Sequence, residues 1–275
     1  MRLEQFKVLL FTMLLAASST CNADKLRLLA AENIEPYVCK TSENQYWGID
    51  VKIIDEILRS INIQYEVIEI PRTRASLTLK SKKADGYLST LAFEELETEE
   101  VWYSSPLYDA SFSLIVLPKT PHQEEDFHST ELLLGTVRGG AYSSSPPPDV
   151  YVHSNKALLS MLKKKRLDGV LAEEISFFYS VNEEKTTDKV MISQTLMARP
   201  IRFAVRKDSV HFNKIKLEFN DTLDSLKKNN FIDKVFIEFL LERGLSPKNT
   251  KEINGVPFHE RCASRTLIGA TNPVG

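Results

Sequence analysis

Cysteine is scarce in this chain, with three among 275 residues: Cys21, Cys39 and Cys262. That excludes a disulfide-stapled scaffold and leaves no Cys-x-x-Cys pair for a structural zinc. The five histidines (His122, His128, His153, His211, His259) are scattered, and no two stand at the helical i, i+4 spacing that lets a pair ligate one metal. Charge of one sign is also lacking. Thirty-five Lys+Arg against 37 Asp+Glu give net −2, which offers no electrostatic footprint for nucleic acid or an acidic membrane surface. There is no Gly-rich phosphate loop and no nucleophile elbow, and no cofactor is implied. The longest apolar run, Val8 to Ala17, is too short to span a bilayer.

That run has a purpose of its own. Arg2 and Lys7 precede it, and the small residues Ser18, Ser19, Thr20, Cys21, Asn22 and Ala23 follow. The arrangement is that of a secretory signal peptide over residues 1–23, with cleavage after Ala23 and a periplasmic, oxidising destination. Cys21 raises lipid attachment as an alternative, against which stands the bulk of Thr20. Two cysteines then remain, Cys39 and Cys262, the smallest number that can pair, and they are the candidate disulfide. The remaining length suits two domains of about 100–150 residues.

The pattern along the chain is α/β. Lys25 to Ala31 reads as a strand, and Asp50 as the cap of a helix carrying Val51, Ile54, Ile57, Leu58 and Ile61. Gln64 to Ile70 alternates as a strand, residues 72–83 form a short helix, and 87–91 a strand ending on Ser89 and Thr90. Strand-helix-strand order implies a mostly parallel sheet, and hydroxyls just past a strand end lie where open sheets bind ligands. Beyond Pro106, strands are expected at 111–117, 132–137, 167–172, 190–193 and 201–205. Helices are expected at 156–166, 212–228 and 231–243, and a helical stretch at 175–181. Arg138-Gly139-Gly140-Ala141-Tyr142 follows a strand, where a glycine pair lets backbone N–H groups approach a ligand. Residues 244–275 show little periodicity and read as an irregular extension.

One unit occurs twice. A helix, Lys83-Ala84-Asp85-Gly86 and a strand ending on hydroxyls are matched by a helix, Arg166-Leu167-Asp168-Gly169 and a strand ending on Glu173-Glu174. Two halves on one plan would set two ligand-facing loops across a cleft, the usual place for a small-molecule site.

Over about residues 25–243 the chain resembles the family 3 extracellular solute-binding proteins, receptors of polar-amino-acid ABC importers. The resemblance is carried by Gly48-Ile49-Asp50, Ala84-Asp85-Gly86, Tyr103-Ser104-Ser105-Pro106, Gly135 to Gly140, Leu167-Asp168-Gly169 and Phe203 to Asp208, in that order. Pro71-Arg72-Thr73-Arg74-Ala75 is similar to the Pro-Trp-Lys-Arg-Ala signature of one branch. The resemblance implies a two-lobed, type II periplasmic-binding-protein-like fold, each lobe a mostly parallel sheet flanked by helices. Lobe 1 would hold 24–110 and 206–243, lobe 2 111–205, with two hinge strands between and closure on a ligand. The implied ligand-binding set is Tyr37, Arg72, Arg74, Ser89, Thr90, Glu97, Arg138, Gly139, Gly140, Tyr142 and Glu173. The sequence departs from the family pattern where the α-carboxylate-clamping Arg is expected, since an ungapped count puts Glu97 there. Arg72 stands in place of the ligand-stacking aromatic, a place Tyr37, Trp47 or Tyr142 would then fill, and Ala141 in place of a glycine-loop hydroxyl. Glu173 stands where an acid takes the α-ammonium.

The function this implies is non-catalytic capture of a small polar, amino-acid-like or amine-bearing solute by a monomer in the periplasm. The implied partner is an inner-membrane ABC permease, with no nucleic acid involved. With Glu97 and Glu173 both facing the cleft, a ligand carrying a positive group is expected. Two alternatives share the fold: an enzyme similar to cyclohexadienyl dehydratase, with Glu97 and Glu173 as general acid and base, and an orphan or sensor ligand-binding protein.

Overall fold

A computed structural model describes residues 25–32, 34–93, 99–117, 132–138, 147–183 and 190–242. The leader at 1–23, Glu97, Gly139, Gly140, Tyr142, Cys262 and the tail from 244 lie outside the described residues.

The first part of the chain forms β1 (Leu26–Ala31), β2 (Cys39–Lys40), β3 (Tyr46–Trp47), α1 (Ile49–Ser60), β4 (Tyr65–Ile70), a 3-10 turn (Arg72–Arg74), α2 (Ala75–Lys80), β5 (Gly86–Tyr87) and β6 (Val101–Tyr103). The middle forms β7 (Tyr108–Val116), β8 (Leu134–Val137), β9 (Val150–Val152), α3 (Asn155–Lys163), β10 (Gly169–Glu173), α4 (Glu174–Glu183) and β11 (Met191–Ile201). The chain then returns through β12 (Ala204–Arg206), α5 (Phe212–Lys228) and α6 (Phe231–Glu242).

Two five-stranded sheets result, in the orders β4-β1-β5-β12-β6 and β11-β7-β10-β8-β9, with β2 and β3 as a separate hairpin. In the first sheet β1 runs parallel to both β4 and β5, and the returning β12 is antiparallel to β5 and β6. In the second, β8 is parallel to β9 and β10, while β7 is antiparallel to β10 and β11. This is the α/β, type II binding-protein-like architecture, with an antiparallel component in both sheets.

The helices are where hydrophobic spacing puts them. On α1, Ile53, Ile54 and Ile57 are fully buried, and on α5 Ile215, Phe219 and Leu223 are as well. Burial of each such side chain stabilises by roughly 1.5–3 kcal/mol. Phe219 stacks on Phe203 at 4.6 Å and Trp102 meets it edge-on, which fixes α5 against the first sheet. Leu158, Leu159 and Leu162 of α3 and Phe177 and Phe178 of α4 cover one face of the second sheet. Leu114, Val116, Leu134 and Leu171 form a smaller cluster apart from it.

The repeated Asp-Gly unit has one physical role in both places. Asp85 Oδ2 accepts from the Arg27 N–H at 2.9 Å, and Asp168 Oδ2 from the Leu133 N–H at 2.8 Å, so each carboxylate pins the start of a neighbouring strand. A Cβ on Gly86 would stand 2.1 Å from the Ala204 carbonyl oxygen.

Several expected elements differ. Asp50 does not cap α1: it lies inside the helix and is fully buried, while Gly48 holds the N-cap position at φ 132°. The strand expected at 87–91 ends at Tyr87, because Ser89 and Thr90 turn away to bond Asp50 and Arg202. The two strands expected at 190–193 and 201–205 are instead the continuous β11, bulged at two places along β7, and then β12. The bulges interrupt the alternation that would have marked β11 as one strand. The expected helix 72–83 is a 3-10 turn followed by six residues of α-helix.

Candidate functional site

The chain passes between the sheets twice, at Ser104–Tyr108 and Ile201–Ala204. These crossings are cross-braced: the Ser104 N–H donates to the Phe203 carbonyl at 3.0 Å and the Leu107 N–H to the Ile201 carbonyl at 2.7 Å. Beside them opens a cleft continuous with solvent. Ile34, Arg72, Leu91 and Ala92 line it from the segments around the first sheet. Phe112, Thr136, Val137, Asn155, Leu171, Ala172, Glu173 and Ser176 line it from the second.

Glu173 is the last residue of β10 and immediately precedes the run of α4. Its Oε2 accepts from the Ser176 N–H at 2.8 Å, and its Oε1 from the Ile175 N–H at 3.1 Å, so the carboxyl caps the helix start. Oε1 also accepts from the Tyr37 hydroxyl at 2.9 Å, a bond that joins the two halves of the cleft. Burial pushes the Glu173 carboxyl up to about 8, against the opposing pull of these three donors, and the neighbouring Glu174 raises it further. Tyr37 is fully buried, stacked on Tyr108 at 5.7 Å and meeting Phe236 edge-on. It is held as a core residue whose hydroxyl alone reaches the site.

Arg72 enters from the 3-10 turn after β4. Burial lowers its guanidinium to about 10, against the attraction of Glu35 and Glu173, so it remains charged at neutral pH. Asn155 and Ser176, on the first turns of α3 and α4, bond to each other (Nδ2 to Oγ, 2.9 Å). The Thr136 hydroxyl donates to the Leu171 carbonyl at 2.8 Å.

Of the residues expected from sequence, the structure brings Arg72 and Glu173 into the cleft wall and sets Tyr37 against Glu173. Ser89 and Thr90 are not among the residues lining the cleft. Ser89 donates to Asp50, which also accepts from Tyr108 at 2.5 Å, and burial pushes the Asp50 carboxyl up to about 7 against these two donors. Thr90 is nearly fully buried and tied to the returning strand: its Oγ1 accepts from the Arg202 N–H at 3.0 Å and its N–H donates to the Arg202 carbonyl at 2.8 Å. Arg74 and Arg138 are exposed and do not line the cleft. Trp47 stacks on Phe239 at 5.4 Å in the first core, away from the cleft lining. Cys39 is buried on the hairpin opposite Trp47. Glu97, Gly139, Gly140 and Tyr142 lie outside the described residues.

Sequence reasoning missed Phe112, Asn155, Ser176 and Arg199. Arg199 donates to the carbonyls of Thr90 and Leu91 (2.7 Å to the latter) and lies over the Phe112 ring at 5.5 Å, bridging β11 to the first-sheet loop. An arginine next to Pro200, after Leu196, Met197 and Ala198, was the available signal. Phe112, Asn155 and Ser176 carried none, because each reads as an ordinary strand or first-turn helix residue. A second buried acid, Glu174, accepts from Ser113 and from Thr195 at 3.3 Å. Burial pushes its carboxyl up to about 7 against those two bonds.

Comparison with known proteins agrees with this architecture. Residues 26–242 match the model of the bacterial extracellular solute-binding proteins, family 3. The chain belongs to this family. The histidine-binding periplasmic protein of Escherichia coli K12 is 29% identical over 114 residues, 40% of this chain and 44% of that one. The lysine/arginine/ornithine-binding periplasmic protein of the same strain is 24% identical over 169 residues, 58% of this chain and 65% of its own. The chain thus spans less than two thirds of the length of either curated relative. Among solved structures, a mutant of the arginine-binding protein from T. maritima superposes with a TM-score of 0.61 at 21% identity, covering 78% of this chain and 95% of that one. At that identity the likeness is one of fold.

Proposed function

We propose that the protein is a periplasmic solute receptor that captures a small, amino-acid-like polar ligand in the cleft and releases it to an inner-membrane ABC permease. In this reading residues 1–23 direct export, 24–110 with 206–243 form one lobe, 111–205 form the other, and the mature protein is a monomer. The observation that carries it is the cleft itself, with a guanidinium on one wall and a carboxyl on the other, beside two braced chain crossings that can act as hinges. The histidine-binding and lysine/arginine/ornithine-binding names of the relatives support a ligand of amino-acid size. Binding occurs without turnover: the Glu173 carboxyl is engaged in holding α4 and Tyr37.

A thermal-shift screen of the exported protein tests this. At a ligand concentration about a hundredfold above Kd, stability rises by roughly 2.7 kcal/mol, enough to move the transition visibly. No shift with any amino acid, amine or small carboxylic acid would remove the reading. Conversion of a binding compound into a product, seen by mass spectrometry, would replace receptor by enzyme.

A further inference from the structure

Two polar side chains of the cleft wall are not needed to finish the helices that carry them. Asn155 opens α3 and Ser176 stands in the first turn of α4; both line the cleft, and both are more than nine-tenths buried (8% and 6% exposed). The start of α3 is already capped by the Ser154 hydroxyl, which accepts from the Ala157 N–H at 3.3 Å. The start of α4 is capped by the Glu173 carboxyl, which takes the Ile175 and Ser176 N–H groups. The two helices share one apolar cluster, through Leu158 and Leu162 on α3 and Phe177 and Phe178 on α4.

Among the described residues, the Asn155 carboxamide and the Ser176 hydroxyl bond each other and nothing else, Nδ2 to Oγ at 2.9 Å. An amide bonded to a hydroxyl leaves at least one acceptor and one donor over, whichever way the amide is turned. With Nδ2 donating, the Asn155 oxygen and the Ser176 proton remain; with the amide reversed, the Ser176 oxygen and the Asn155 NH2 remain. Buried polar groups are as a rule hydrogen-bonded, and the space these two residues line is the cleft. The neighbouring Thr136 differs, because its hydroxyl gives its proton to the Leu171 carbonyl at 2.8 Å. The pair is uncharged. A carboxylate brings acceptors only and would set a second acid beside Glu173, whose Oε2 lies 2.8 Å from the Ser176 nitrogen. An ammonium brings donors only. A carboxamide brings one of each on neighbouring atoms, which is what the pair leaves open.

We propose that Asn155 and Ser176 together form a specificity subsite that takes a carboxamide of the solute, its NH2 on the open oxygen of the pair and its carbonyl on the open donor. This rests on the reading of the cleft as the solute site. It narrows the ligand to an amino-acid-like solute with an uncharged amide. It also sets the pair against the acid and the apolar group of the same shape, each of which leaves a buried polar atom unmatched.

Calorimetry on the exported full chain with probes matched in shape tests it: asparagine against aspartate and leucine, glutamine against glutamate, with arginine and histidine added. At least one amide should bind about tenfold or more tighter than its acid, and asparagine tighter than leucine if asparagine is that amide. Asn155→Ala and Ser176→Ala, each checked for cooperative unfolding, should bring the ratio of amide to acid toward one. The double variant should do no more than either single one, because the two side chains act as a unit. The wild-type ratios decide the ligand class even if a variant does not fold. If an acid, leucine, arginine or histidine binds as tightly as the better amide, the proposal fails and the cleft reading stands. If the amide is preferred but both single variants keep the wild-type ratio, the assignment to Asn155 and Ser176 is wrong. If no probe binds a wild type that unfolds cooperatively, the proposal fails, and the cleft reading then stands or falls on the thermal-shift screen.

Discussion

Replacing Glu173 by glutamine should change how stability depends on pH more than it changes stability itself. Burial raises the Glu173 carboxyl from the ordinary glutamate range near 4.5 to about 8. A group raised in this way binds its proton more tightly in the folded state than in the unfolded chain. Its contribution is fully present below the unfolded value and is lost as pH rises toward the folded one, so stability declines between about pH 4.5 and 8. Each unit of pH across that window costs up to about 1.4 kcal/mol, which makes the loss from pH 5 to pH 8 on the order of 3–4 kcal/mol for this group. Arg72 feels the attraction of Glu35 and Glu173, Glu174 adjoins Glu173, and Tyr37 donates to Glu173 directly. Asp50 and Glu174, both raised to about 7 by burial, add declines of the same sign ending a unit lower. Glutamine keeps an oxygen to accept from Tyr37 and the Ile175 N–H and has no proton to lose, but it sets its NH2 against the Ser176 N–H, which costs about 1–3 kcal/mol at every pH. Urea unfolding of the wild type and Glu173→Gln at pH 5, 6, 7 and 8 should therefore give a variant less stable than the wild type at pH 5, with the difference moving in the variant's favour by about 3–4 kcal/mol by pH 8. Parallel slopes for the two proteins, or a wild type that gains stability across the window, would show that Glu173 is ionised in the folded state and refute the reasoning.

Other outcomes follow from single residues. Gly48→Ala should destabilise by roughly 2–4 kcal/mol, measured by denaturant unfolding: φ is 132°, and a Cβ would stand 2.3 Å from the Tyr37 carbonyl oxygen that accepts from the Asp50 N–H. Phe219→Ala should cost about 3–5 kcal/mol, because the ring is fully buried between Phe203 and Trp102. Cys39 and Cys262 should form a bridge in the exported protein, seen as a mass two hydrogens below the reduced form; two thiols that react with iodoacetamide without prior reduction would exclude it.

Much of the fold was written in periodicity. The isoleucines of α1 and the Ile215–Phe219–Leu223 stripe of α5 announce their helices because burial on one face fixes the spacing. The twin Asp-Gly units mark the same strand-start geometry in both halves. What the sequence hid was the destination of polar side chains. Asp50 in front of a hydrophobic run reads as a cap, yet its carboxyl turns inward to Ser89 and Tyr108, 39 and 58 residues away in sequence. Ser89 and Thr90 look like ligand hydroxyls because they end a strand, but their partners come from distant segments that no local pattern predicts. Arg72 and Glu173 were legible as residues of the cleft wall, since each follows a strand of an α/β unit, where such sheets open their clefts. That Tyr37 would satisfy Glu173 was not, because the bond spans 136 residues.

The central claim is that solute binds in the cleft between the two sheets. A crystal structure of the exported protein with its tightest ligand tests that most directly. The account predicts the ligand between Arg72 and Phe112, with the two sheets closer together than in the free protein. A ligand bound tightly elsewhere, with the cleft empty and the sheets unmoved, would contradict it.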